Sequence, residues 1–185
     1  VRVAIVDARR VSLLEAKRSQ LPDLETVIVV GDSAPCPTGM VPWRGFLVDA
    51  RPEYAQVDIT PDQLAFIGYT GGTTGKPKGV MHSQQNMYLN LFSHLTELGL
   101  QDDERLLLTS PLPHAAGMIL LTGLLKGATH FIEPGFDPAT VIRRISNDRV
   151  TLTFMVPTMI YRLLDWLDEQ SGPAPDLSAL RTMLY

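Results

Sequence analysis

The chain predicts an α/β fold: a doubly wound, mostly parallel sheet with helices on both faces. Three observations carry that prediction. Short β-branched or aliphatic runs such as Val3–Val6 and Val27–Val30 have the character of buried strands. From Leu64 onward such runs alternate with longer stretches of helical periodicity. Helix-start signals stand where the alternation requires them, as at Asp137-Pro138 and Pro157-Thr158. Ligands of such sheets bind beyond the carboxyl ends of the strands. The Tyr69–Gly79 and Pro111–Gly117 segments fall there.

In chain order, Val3–Val6 and Val27–Val30 are strands, and Val11–Gln20 between them has Val11 and Leu14 at helical spacing. Asp32–Gly45, with Pro35, Pro37 and Pro42, reads as loop, and Asp49–Asp62 as a polar connection. Residues 1–61 thus form a partial leading α/β segment, and 62–185 an α/β subdomain. Within the latter, Leu64–Gly68 is a strand. A helix over about Ser83–Leu98 follows, with Tyr88, Leu91, Phe92, Leu95 and Leu98 on one expected buried face. Leu106–Thr109 is a strand, Ala115–Lys126 an apolar helix, and Thr129–Ile132 a strand. Asp137 caps a helix whose Val141, Ile142 and Ile145 face the core. Thr151–Val156 is a strand, Pro157 opens a helix carrying Ile160, Leu163, Leu164 and Leu167, and Met183–Tyr185 begins another strand. Val1 leads directly into a strand and Tyr185 lies inside one, so the chain reads as an internal piece of a longer protein.

Between the strand at Leu64 and the helix at Ser83 lies Tyr69-Thr70-Gly71-Gly72-Thr73-Thr74-Gly75-Lys76-Pro77-Lys78-Gly79-Val80. Glycines let backbone amides approach an anion, threonine hydroxyls add uncharged donors, and lysine adds a cation. Such a loop suits a polyphosphate. It is no Walker A loop, because Pro77 stands where Ser or Thr is required, and no G-x-G-x-x-G, because Thr74 breaks the spacing. The run resembles the phosphate loop of the adenylate-forming superfamily, which includes acyl-CoA synthetases, luciferases and peptide-synthetase adenylation domains. Gly71 replaces the usual serine. The Thr73-Thr74 pair is closer to the acyl-CoA synthetases.

That resemblance implies that Thr70, Gly71, Gly72, Thr73, Thr74, Gly75 and Lys78 hold ATP phosphates, with the N-terminus of the next helix adding its dipole. Lys76 falls on a variable position and reads as a solvated charge. Pro111-Leu112-Pro113-His114-Ala115-Ala116-Gly117 is similar to a second family segment, which implies that His114 stands at the acyl gate and helps orient the carboxylate. Ser83-Gln84-Gln85-Asn86 lacks the histidine usual after the Ser/Thr. His82 lies two places early, and capping by Ser83 explains the segment without chemistry. His94 reads as a surface or partly buried helix residue, and His130 as a hydrogen-bonded core histidine. In the family the adenine, ribose and Mg²⁺ sites and a catalytic C-terminal lysine come later than Tyr185, so this piece alone is expected to be inactive.

The resemblance implies that the chain is part of the larger N-terminal domain of an acid–thiol ligase that uses ATP, Mg²⁺ and coenzyme A on a small-molecule carboxylic acid. An acyl-AMP ligase, a peptide-synthetase adenylation domain and a non-catalytic nucleotide- or acyl-binding relative stay open as alternatives. Composition agrees with a globular protein: 185 residues, 45% hydrophobic and 19% charged. A net charge of −4 disfavours nucleic acid as a partner. The single cysteine, Cys36, fits a reducing cytoplasm. The longest apolar stretch, Ala115–Leu125, is too short to span a bilayer. A sheet cut at its edge could pair with a second copy.

Overall fold

The structure, a computed structural model, describes all residues except 32–35, 49, 52, 54, 55, 71–74 and 76. It divides into two compact units, Val1–Val57 and Asp58–Tyr185.

The first unit is a parallel sheet of β1 (Val3–Asp7), β2 (Thr26–Val30) and β3 (Val41–Pro42), in that order, with the short helices α1 (Val11–Glu15) and α2 (Trp43–Leu47). Leu24, Val27 and Val29 form its buried centre, against Val6, Val11 and Leu14. The helix expected over Val11–Gln20 stops at Glu15, and a 3₁₀ turn takes over at Arg18–Gln20. The proline-rich segment expected as loop also holds β3 and the start of α2. Pro42 suits both roles, because an edge strand can spare an N–H and its φ of −67° fits the residue that caps a helix.

The second unit contains a four-stranded parallel sheet built by β6 (Arg105–Leu108), β7 (Thr129–Ile132), β8 (Leu152–Phe154) and β9 (Thr182–Leu184), ordered β7-β6-β8-β9. Helices α4 (Ala115–Lys126), α5 (Pro138–Asn147) and α6 (Pro157–Asp168) make the crossovers. Side chains of β6 alternate between the two faces. Leu107 packs with Val141, Ile145, Met155 and Leu163 on the α5/α6 side. Leu106 and Leu108 pack with Ala116 and Ile119 of α4, and with Leu95 and Leu98. All three leucines are fully buried, each worth about 2 kcal/mol of transfer free energy. This is the doubly wound pattern, with helices on both faces. The chain runs from β6 out to β7 and then crosses back to β8, so the order reverses between β6 and β8. That reversal opens a crevice at their carboxyl ends.

Local signals set the helix ends. Asp137 caps α5 by accepting a 2.9 Å bond from the Thr140 N–H, with Pro138 at the first turn. α4 ends at Gly127 (φ 79°), where the Ala128 N–H reaches the Gly123 carbonyl at 2.9 Å in a Schellman closure.

The remaining pair of strands departs from expectation. β4 (Leu64–Tyr69) pairs antiparallel with β5 (Gly79–Ser83), and only then does α3 (Gln84–Glu97) begin. The Gly/Thr/Lys run therefore closes a β-hairpin instead of joining a parallel strand to a helix. The stripe on α3 also differs: Leu95 and Leu98 pack on the core, while Tyr88 and Phe92 stack on each other, 65% and 52% exposed. On α6, Leu163 is buried but Leu164 is half exposed.

Candidate functional site

Three segments of the second unit converge on the candidate site: the β4–β5 hairpin, the start of α3, and the turn from β6 into α4. The hairpin ladder runs up to Tyr69 opposite Gly79. One step further, the Thr70 N–H donates to the Lys78 carbonyl at 2.9 Å, and the Lys78 N–H reaches the Thr70 hydroxyl at 3.4 Å. Thr70 and Lys78 thus form the neck of the loop. Lys78, Thr70 and Gly75 are exposed. Gly71, Gly72, Thr73 and Thr74, expected to hold phosphates, lie outside the described residues, as does Lys76.

The hairpin register corrects the expected helix dipole. Ser83, the N-cap of α3, pairs with Leu64 at the far end of the ribbon from Tyr69 and Gly79. From Gly79 to the Ser83 N-cap the chain takes four steps along β5, about 14 Å at ~3.4 Å per residue. A helix dipole acts within roughly its own first turn, so α3 does not assist the neck of the loop at Thr70 and Lys78. Ser83 has the capping role expected of it: its hydroxyl accepts from the Asn86 N–H at 3.2 Å, and Asn86 Oδ1 accepts from the Ser83 N–H at 3.2 Å.

His114 occupies the N-cap of α4 without bonding the helix through its side chain. Its N–H donates to the Pro111 carbonyl at 3.3 Å, and its carbonyl accepts from the Gly117 N–H at 2.9 Å. The backbone holds the turn, and among the described residues the imidazole has no hydrogen-bond partner. Gly117 is required there, because a Cβ would lie 2.1 Å from the Leu112 carbonyl oxygen. Beside the turn is a cavity of about 190 Å³ lined by Phe66, His82, Asn90, Pro113, His114 and Met118. His82 is part of β5, opposite Phe66, with the two rings 5.8 Å apart. The sequence gives no hint of this convergence, since Phe66 and His82 become neighbours only through strand pairing. In the crevice between β6 and β8, the Ser110 hydroxyl lies 3.8 Å from the Met159 sulfur.

The amino ends of the strands hold a different arrangement. Glu104, 4% exposed, accepts from the Gln101 N–H at 2.9 Å, from Arg181 Nη2 at 3.2 Å, and from the Thr151 hydroxyl. Arg181 also bridges to Asp103 at 2.9 Å, and its guanidinium holds the Asp103 carboxyl below the usual carboxylate range. Arg149, at a φ of 53°, pairs with Asp176 at 2.8 Å. A polar cleft of about 490 Å³ lies among these groups. It is larger than the cavity beside His114, but its charges neutralise one another and it sits at the end of the sheet opposite the switch-point crevice. We assign it to structure.

His130, expected to be hydrogen-bonded, is half-buried on β7, and its Nε2 has no partner among the described residues. The ring instead packs on α4 at Gly123, where a Cβ would come within 2.4 Å of Nε2. No cluster of three His, Cys, Asp or Glu side chains suited to a metal occurs among the described residues. Among them, no helix is long and apolar enough to cross a membrane.

This doubly wound α/β fold is that of the N-terminal domains of AMP-binding acyl-CoA ligases. The chain matches the AMP-binding enzyme family over residues 1–185 and belongs to it. It is 35% identical over 185 residues to the medium/long-chain-fatty-acid–CoA ligase FadD8 of Mycobacterium tuberculosis, a match covering 96% of this chain and 30% of FadD8. A feruloyl-CoA synthase of an Amycolatopsis species is 40% identical over 142 residues, covering 76% of this chain and 28% of the synthase. The structure of the anthranilate CoA ligase AuaEII in complex with anthranoyl-AMP superposes with a TM-score of 0.83 at 26% identity, covering 99% of this chain and 35% of that one. The chain thus spans about a third of the length of these relatives.

Proposed function

We propose that the complete protein carrying this chain is an ATP-dependent acyl-CoA ligase. It would join a carboxylic acid to ATP, release pyrophosphate, and pass the acyl group from the acyl-adenylate to the thiol of coenzyme A. The observation that carries this reading is the phosphate-type loop on the same subdomain as the His114 cavity, within a family match along the whole chain. Both named relatives are acyl-CoA-forming ligases by their names.

In this reading Thr70, Gly71, Gly72, Thr73, Thr74, Gly75 and Lys78 hold the ATP phosphates. Lys78 stands at the exposed neck of the hairpin, where its ammonium can neutralise charge that builds on departing pyrophosphate. His114 stands over the cavity with its imidazole unencumbered and orients the acid carboxylate toward the α-phosphate. Mg²⁺ would supply charge neutralisation of the phosphates when bound; no cluster of His, Cys, Asp or Glu suited to it occurs among the described residues, and no step here is assigned to it.

The test is acid-dependent ATP–pyrophosphate exchange by the complete protein. Exchange is expected, and Lys78→Ala should slow it by about 10²-fold, as loss of a charge-stabilising group does. Exchange unaffected by Lys78→Ala would remove the phosphate role of that residue. Adenylation followed by transfer to a carrier protein, with none to coenzyme A, would replace the ligase reading by that of an acyl-AMP ligase.

A further inference from the structure

We propose that His82 is a specificity residue, and that it selects a compact aryl acid bearing a hydrogen-bonding substituent on its ring. The inference deepens the adenylation reading above and rests on it. Three features of the cavity lead there.

Its size comes first. At about 190 Å³ the cavity is close to the ~150 Å³ spaces that accept benzene, so it has room for one ring with a small substituent. The walls come second. Phe66 and Met118 offer apolar surface, while His82 and Asn90 bring polar atoms from β5 and α3, elements separate from the turn that carries His114. Third is unused hydrogen-bonding capacity. His82 contacts the Phe66 ring edge-tilted at 31°, and among the described residues its imidazole has no hydrogen-bond partner. With His114 assigned to the carboxylate, His82 is a second polar group available to the body of the acid. A hydrocarbon packed against it would strip its water and return nothing, whereas a ring hydroxyl would replace that water with a bond.

The experiment measures ATP–pyrophosphate exchange by the complete protein with benzoate, 4-hydroxybenzoate and palmitate. The wild type should favour 4-hydroxybenzoate over benzoate by about tenfold in kcat/KM, and should favour benzoate over palmitate. His82→Phe keeps a ring against Phe66 but removes the nitrogens, and should bring the hydroxybenzoate-to-benzoate ratio close to one. His82→Gln, which keeps a donor and an acceptor, should restore part of it. His82→Ala gives the same comparison if the phenyl variant does not fold. An unchanged ratio in His82→Phe, or a wild type that prefers palmitate, overturns the role of His82 while leaving adenylation standing. No exchange with any of the three acids overturns the adenylation reading, and this inference with it.

Discussion

Gly117→Ala is the substitution that most directly joins the geometry of the turn to chemistry. A Cβ at this position would lie 2.1 Å from the Leu112 carbonyl oxygen and 3.2 Å from its carbon. Ordinary carbon–oxygen approach is ~3.3 Å, so the peptide must retreat by roughly 1 Å. The clash is with backbone, so no side-chain rotation relieves it. Overpacking costs about 1–3 kcal/mol, and the upper part of that range, about 2–3 kcal/mol, applies because the obstacle is backbone; the helix preference of alanine over glycine returns up to ~1 kcal/mol. A net loss of about 1–2 kcal/mol should appear in urea unfolding of the chain. The retreating segment is the one that carries Pro113 and His114 at the cavity. Displacement of a positioning group by ~1 Å can slow a reaction about 10²-fold, so ATP–pyrophosphate exchange by the complete protein should fall by that order. The hydrogen bond from the Gly117 N–H to the His114 carbonyl, 2.9 Å long, ties the two effects together. Stability within ~0.5 kcal/mol of wild type would refute the close approach. Normal stability loss with exchange within threefold of wild type would instead refute the positioning role of the turn.

Further predictions test the scaffold. Asp137→Ala should cost about 1 kcal/mol through loss of the α5 cap, while Asp137→Asn should cost little because asparagine caps as well. The side-chain and backbone bonds from Thr140 hold the Asp137 carboxyl below its ordinary range, so its stabilisation is complete above about pH 4 and is lost as pH falls toward the folded-state value. Asp103, held down by Arg181, behaves in the same sense. Acid titration of unfolding should therefore be shallower in the Asp137→Asn variant, and an identical acid limb would contradict the assignment. Glu104→Ala removes the shared acceptor of the Gln101 N–H, the Thr151 hydroxyl and Arg181, and should cost about 2–3 kcal/mol. Because the network sits at the amino ends of the strands, that loss should come with no change in acid selectivity, and a change in selectivity would show that this cleft takes part in function.

Much of the second unit was legible from local chemistry. The run at Leu106–Leu108 and the caps at Ser83 and Asp137 each act through neighbours in sequence, so their structure can be read without knowing the fold. The composition of the Gly/Thr/Lys run was legible for the same reason, since its glycines, threonines and lysines are contiguous. The sequence alone therefore determined the α/β class, the element order from Leu106 onward, and the Gly/Thr/Lys composition of the segment between Tyr69 and Gly79.

Tertiary structure decided which elements meet. Strand pairing, a contact between residues far apart in sequence, turned the loop into a hairpin closure and moved the start of α3 to the opposite end of the ribbon. The same pairing set Phe66 beside His82, and packing brought both to the cavity of His114 and Met118. Periodicity marked Tyr88 and Phe92 as apolar but could not say whether anything covers them, because burial belongs to the partner surface as much as to the helix. The chain specified its segments through local propensity. The candidate site exists only where long-range pairing and packing bring those segments together.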